Sequence, residues 1–474
     1  MTRTVDLIVR NGTVVTSQAT FLGDLVIDDG KFVAIAAPGE LDLAAAEEFD
    51  ATGLHVIPGV IDGHVHFREP GYEYKEDFGT GSRAAVHGGV TTVLDMPNTN
   101  PTTGTPKHAR LKVSLAEQKA WCDFGLIGLL ITENVDQLRP MAESGLVVGF
   151  KAFLGITIGG IAAPTDGALL DGMREIAAAG MRLGFHAENN EIMAHEIRKL
   201  QEAGRTDPLA HVESRPVIAE VESISRMGLY ARHTGCRVHI FHLSSADGLA
   251  MIDEWRAKGV DYTAETGAHY CFLTAEDMRT LGPRLRMNPP VREPGHGEVL
   301  VAGLASGRVT GIATDHSPHT HEEKLNPDIW KAISGFAGVE TSVRLFLTYG
   351  VDAGRMTLPQ YVRASSEGLA RAWGIWPKKG AIALGSDGDL TILDLAREDV
   401  IEESRLHGKN NLNPFEGHRT KGAPVATIVR GRIVMREGEL VGAPSGRVVS
   451  PVGREPQREE TVAEQLVAVA QAAQ

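Results

Sequence analysis

Asp62-Gly63-His64-Val65-His66 carries the strongest chemical signal in the chain. It closes an apolar run from Val56 to Asp62 whose composition predicts a β-strand. Side chains alternate along a strand, so His64 and His66 point to one face and Val65 to the other. Two imidazoles converging at a strand end can hold a divalent metal ion. An isolated His-x-His pair is more often two surface histidines in a loop, so this pair decides nothing alone. Its counterparts elsewhere do. His186 ends Leu183-Gly184-Phe185-His186, His242 ends Val238-His239-Ile240-Phe241-His242, and Asp315 follows Gly311-Ile312-Ala313-Thr314. Each is a polar residue at the C-terminal end of an apolar run. Lys151, in Val148-Gly149-Phe150-Lys151-Ala152-Phe153, would by itself be read as a lysine reaching from a strand end to water. Inside a metal cluster, its deprotonated amine can take up carbon dioxide and become a carbamate, N6-carboxylysine, that bridges two ions.

Such side chains need elements that bring distant strand ends to one rim. Eight apolar runs alternate with helical stretches between residues 56 and 384: 56–62, 90–95, 125–131, 147–153, 182–186, 238–242, 261–264 and 309–314. Eight strands in βα rhythm predict an α/β fold, a closed TIM (β/α)8 barrel whose C-terminal rim carries the site. Short β-rich runs at both ends predict a small β-sandwich built jointly by residues 1–55 and 385–445. Asn11-Gly12 and Asp29-Gly30 are its expected hairpin turns. Residues 446–474 form a tail, and its Ala/Val/Gln-rich end from about Glu459 predicts a short helix.

Composition narrows the partners. The 474 residues carry a formal net charge of -14, which argues against nucleic-acid or anionic-membrane binding. No stretch of 18 apolar residues and no signal core appears, and the three cysteines form no CxxC pair. A reduced, cytoplasmic setting is expected.

His64-Val65-His66, Lys151, His186, His242 and Asp315, in this order and at these strand ends, resemble the binuclear amidohydrolase superfamily in its cyclic amidohydrolase branch. That branch contains dihydroorotases, allantoinases, and hydantoinases or dihydropyrimidinases. The resemblance spans nearly the whole chain, including Leu412-Asn413-Pro414-Phe415-Glu416-Gly417. It implies two divalent ions per chain. His64, His66 and Asp315 would hold the buried ion, His186 and His242 the exposed one, and carboxylated Lys151 would bridge them. A hydroxide between the ions would attack the ring carbonyl, while Asp315 moves its proton to the leaving nitrogen. Zinc is the first choice from this donor set; manganese, cobalt and iron also fit it.

The ring is harder to read. Phe67-Arg68-Glu69-Pro70-Gly71 and Met96-Pro97-Asn98-Thr99 are similar to dihydroorotase segments, in which the matching Arg68 and Asn98 hold the substrate carboxylate. Arg68 could instead pair structurally with Glu69, Glu73 or Glu76. Asn288 and His319 fall in similar segments, which makes them further candidate substrate contacts. Gly149-Phe150-Lys151-Ala152-Phe153-Leu154, Ser214-Arg215-Pro216-Val217 and Trp330-Lys331-Ala332-Ile333-Ser334 look more like allantoinases and hydantoinases. Hydantoinases usually place a tyrosine five residues after the lysine, where this chain has Ile156. The stretch from Gly155 to Gly160 reads as a flexible loop or a lid. His87, His211, His269 and His321 have no partner pattern. A dihydroorotate-like ring is therefore the leading expectation, with allantoin or a hydantoin as alternatives. A non-catalytic assembly protein on the same fold is the rival of another class. Family resemblance also implies a homo-oligomer, a dimer or tetramer.

Overall fold

The computed structural model describes residues 4–155 and 160–456. Residue Ile156 and the C-terminal helix expected from about Glu459 lie outside the described residues, as does most of the 155–160 loop.

Eight parallel strands run in sequence order around the centre. They are β1 (Val60–Val65), β2 (Val90–Asp95), β3 (Asp123–Leu129), β4 (Val147–Phe153), β5 (Arg182–His186), β6 (Arg237–Ile240), β7 (Tyr262–Thr266) and β8 (Gly311–Ile312). Their residues are almost all buried, because helices cover the outer face and side chains fill the inner one. The strand expected over 56–62 is in fact two. His55–Pro58 pairs within the terminal sheet and β1 begins at Val60. Gly59 separates them at a close approach, where a Cβ would lie 2.2 Å from Thr91 Oγ1.

The eighth strand is short because its end is held by side chains. Thr314 N donates to Asp62 Oδ1 at 3.0 Å and Thr314 Oγ1 donates to Asp62 Oδ2 at 2.5 Å. His66 N then donates to His316 O at 2.7 Å, joining β1 to the chain beyond β8. This seam brings the ring of strands nearly to closure.

Both chain ends build one further sheet of nine strands. Thr4–Val15 pairs with His55–Pro58, which pairs with Leu390–Val400 from the other end. The sheet curls on itself: Ile27 and Phe32 from one end of its path share a core with Ile428 and Ile433 from the other. Asp29-Gly30 is a hairpin turn, as expected, with φ of 50° and 72°. Asn11-Gly12 is not. Thr4–Val15 runs straight through it as one strand with a register shift, and Asn11 at φ 58° forms a bulge. Glycine is needed there because a Cβ at Gly12 would meet Val56 Cγ2 at 2.5 Å. No helix among the described residues is long and apolar enough to cross a membrane.

Candidate metal centre and substrate cavity

The six side chains singled out as metal ligands meet at the C-terminal rim of the barrel. His64 and His66 leave the end of β1 on one face, and both Nε2 atoms approach Asp315 Oδ1, at 3.3 and 3.1 Å. Lys151, from β4, places Nζ 2.9 Å from His64 Nε2. His186, from the end of β5, and His242, just beyond β6, bring Nδ1 and Nε2 within 3.0 Å of each other. The His64 and His242 ring centroids are 5.3 Å apart, so the two halves form one cluster. His242 and Asp315 take left-handed backbone angles, φ 42° and 49°, where each strand turns into its loop. Such angles cost a non-glycine residue free energy, and here they aim the side chains inward.

Electrostatics suit a cation. Burial holds His64 and His242 well below the ordinary histidine range and lowers His66 to about 4. These rings are neutral donors with lone pairs aimed at one another. Burial lowers Lys151 to about 8, against the pull of Asp315 and Glu265. Burial would raise Asp315, but His64 and His66 outweigh it and keep the carboxylate ionised. Ring nitrogens of His186 and His242 3.0 Å apart, with an anionic carboxylate in the same cluster, are satisfied by a proton or a metal ion between them. The donor set therefore fits divalent ions.

A further ring of residues orients these donors. His64 Nδ1 lies 2.8 Å from Glu265 Oε1, and Glu265 Oε2 lies 3.2 Å from His239 Nε2. His186 Nε2 lies 2.8 Å from Glu188 Oε2, which also pairs with Arg215. Carboxylates behind the rings fix the tautomer that turns a lone pair toward the cavity. Sequence reading assigned no role to Glu265, His239 or Glu188. Glu265 had a usable signal, a lone acid at the end of the seventh strand. Glu188 lies two residues beyond His186, yet nothing local distinguishes it from a loop carboxylate.

The cavity above the cluster is lined by Arg68, Asn98, Phe153, Asn288, Ser317 and Ser334 along with five of the six candidate ligands, His64 lying beneath them. Three of the four expected substrate contacts face it, and His319 stands behind Arg68. Arg68, at φ 65°, has Nη2 3.0 Å from His319 Nε2. It does not pair with Glu69, Glu73 or Glu76: those accept from Phe78 N and Lys119, from Gly71 N, and from Lys409 N. Arg68 Nε and Asn98 Oδ1 are buried with no partner among the described residues. The Asn288 amide contacts Ser334 Oγ at 3.0 Å. Of the four unassigned histidines, His211 donates from Nε2 to Met287 O at 2.8 Å and His87 stacks on His407. His269 is buried near Asp315 with Nε2 unpartnered.

Comparison with known proteins agrees with this geometry. The model of the amidohydrolase family matches residues 55–434. An allantoinase from Solibacter usitatus is 37% identical over 450 residues, covering 94% of this chain and 97% of its own length. A dihydroorotase from Methanothermobacter thermautotrophicus is 39% identical over 418 residues, covering 88% and 91%. The solved L-hydantoinase (dihydropyrimidinase) from Arthrobacter aurescens superposes with a TM-score of 0.92 at 35% identity, covering 94% of this chain and all of that one. A barrel with these donors on its rim, matched over nearly its full length, makes this chain a member of the amidohydrolase family, in its cyclic amidohydrolase branch.

Proposed function

We propose that this enzyme, a metal-dependent hydrolase of cyclic amides, opens a dihydroorotate-like ring at a C–N bond using His64, His66, Lys151, His186, His242 and Asp315 to hold two divalent ions. The observation that carries this reading is the convergence of those six side chains in one cluster, five of them lining one cavity. The ions, zinc as first choice, supply Lewis acidity and lower the pKa of water. A carbamate on Lys151 fits an amine that burial has already brought down to about 8. Asp315 is kept ionised by His64 and His66, so it can accept a proton from the attacking water. The same carboxyl then delivers that proton to the departing ring nitrogen. A complete donor set is also what separates this chain from the non-catalytic alternative.

Arg68 and Asn98 support a ring bearing a carboxylate. The guanidinium lies in the cavity wall with Nε unpartnered, and Asn98 Oδ1 is free to orient a ring N–H. Opening of allantoin or a hydantoin is the second reading, favoured by relatives bearing those names. Arg68→Ala separates the two. For a carboxylated ring kcat/KM should fall about ten- to hundredfold, as expected when a hydrogen bond to a charged group is lost, while uncharged rings lose far less. An equal loss on both would remove Arg68 as the carboxylate contact. The broader test is metal analysis of the purified protein with a hydrolysis screen over dihydroorotate, allantoin, hydantoins, dihydrouracil and cyclic imides. About two metals per chain and one preferred ring support the reading; no metal and no ring opened would leave the assembly-protein alternative standing.

We place the enzyme in the cytoplasm, in keeping with three free, buried cysteines. A homo-oligomer, dimer or tetramer, follows from family resemblance, and light scattering of the purified chain tests it.

A further inference from the structure

A second cavity lies beside the substrate cavity, and the two share Asn288 and Ser334 as a common wall. Its floor and sides are apolar, from Met193, Ile197 and Trp330. Three cations line it, Arg286, Arg215 and Lys331, and the last two are already paired with carboxylates. His211 donates Nε2–H to Met287 O, which leaves Nδ1 as a lone pair 3.4 Å from Arg286 Nε. That contact fixes the guanidinium by one edge only. No carboxylate lies within ion-pairing distance of Arg286 among the described residues; the nearby Asp328 is paired with Lys331 at 3.2 Å, and Arg215 is paired with Glu188. Burial lowers Arg286 to about 10, with neighbouring Arg215 adding to the effect and Asp328 only partly offsetting it. A poorly solvated guanidinium without a counter-ion is costly in a folded protein unless an anion visits it.

The geometry points to this cavity as the site for an exocyclic substituent of the ring, an aliphatic arm that ends in a carboxylate received by Arg286. Asn288 and Ser334 line both cavities, so a ring bound in the first lies beside the second, and the arm reaches Arg286 by parting the Asn288–Ser334 contact. The apolar walls take methylene groups, and the guanidinium's free N–H pair takes the carboxylate oxygens. This inference rests on the ring-opening reading for the identity of the ring, but not for the arm.

The test measures binding and turnover of two hydantoins, one carrying a 2-carboxyethyl arm and one its uncharged carbamoylethyl analogue. The metal-loaded wild-type enzyme should bind the charged ring at least about tenfold more tightly, in line with one charge-assisted hydrogen-bonded contact. Arg286→Gln should bring the ratio of the two affinities close to one, whereas Arg286→Lys, which keeps the cation, should retain part of the preference. A ratio near one in the wild type, or an undiminished ratio in Arg286→Gln, overturns the assignment. If Arg286→Gln does not fold, the wild-type ratio and the Arg286→Lys ratio still decide. Turnover in the same samples tests the ring-opening reading separately: a ring bound with the expected preference but never opened sinks that reading and leaves the arm site intact.

Discussion

Glu265 joins two histidines that face opposite tasks. Its Oε1 meets His64 Nδ1 and its Oε2 meets His239 Nε2, all inside the barrel and away from water. Burial, with Asp62 and Asp315 close by, raises the Glu265 pKa well above the carboxylate range, partly offset by Lys151. A cation among His64, His66 and Asp315 would relieve that cost by favouring the ionised carboxylate, which accepts His64 Nδ1–H and leaves Nε2 free as a ligand. Glu265→Gln keeps the shape and removes the charge. Metal affinity should drop about 10- to 100-fold, the usual loss for a partner of a metal-ligating histidine. Metal content after dialysis against graded chelator reads this directly. Unchanged retention would make Glu265 a packing residue. The same logic explains why the candidate ligands were legible in sequence and the partner of Glu265 was not. A histidine pair flanking a valine at a strand end is a local pattern. A buried acid acquires meaning only when another strand delivers its partner, here 201 residues away.

The site depends on how strands end. β8 has two ladder residues, and its loop is held instead by Asp62, which accepts from Thr314 N, Thr314 Oγ1 and His64 N. One carboxylate thus fixes the backbone beside both His64 and Asp315. Thr314→Val preserves volume and removes the hydroxyl donor, leaving buried Asp62 Oδ2 unsatisfied. Stability should fall by about 1–3 kcal/mol, the cost of an unmade buried hydrogen bond. Metal affinity should fall with it because Asp315 is the next residue. Denaturant unfolding and metal titration measure the two, and a variant as stable as the wild type would show that the backbone ladder alone closes the barrel. Element count and order were readable from apolar runs, since strands buried on both faces carry an unbroken apolar signal. Boundaries were less so. The run at 56–62 stays apolar across Gly59 although its halves serve different sheets, and 309–314 looks like a full strand although side chains replace most of its ladder. Asn11-Gly12 has the composition of a hairpin turn but sits in a bulge, because the partner strands that keep the chain straight come from residues 20–28 and 55–58.

At the scale of the whole molecule, the barrel must carry a sheet made from both chain ends, and one buried lysine ties them. Lys379 Nζ lies between Asp387 at 2.9 Å, Asp389 at 2.7 Å and Asp123, which opens β3 of the barrel and also pairs with Arg430 of the terminal sheet. All four groups at the lysine are nearly inaccessible to water. Burial alone would lower the Lys379 pKa, but Asp389 and Asp387 outweigh it and hold the ammonium above its ordinary value. The three acids could pass for a metal site by spacing, yet the lysine already occupies their centre. Lys379→Met keeps most of the volume and strands buried carboxylates without their cation. Removing one partner of such a buried network costs about 3–5 kcal/mol, far more than a surface pair contributes. The expected result is a large drop in melting temperature with metal bound at the rim as in the wild type, since Lys379 makes no contact with the six candidate ligands. Calorimetry and metal analysis on the same sample decide. A small change in melting temperature would mean that the carboxylates take up protons or water readily, and that apolar packing of Ile57, Leu393 and Val429 in one core with barrel residues such as Val90 and Val93, rather than this charge cluster, holds the terminal sheet to the barrel.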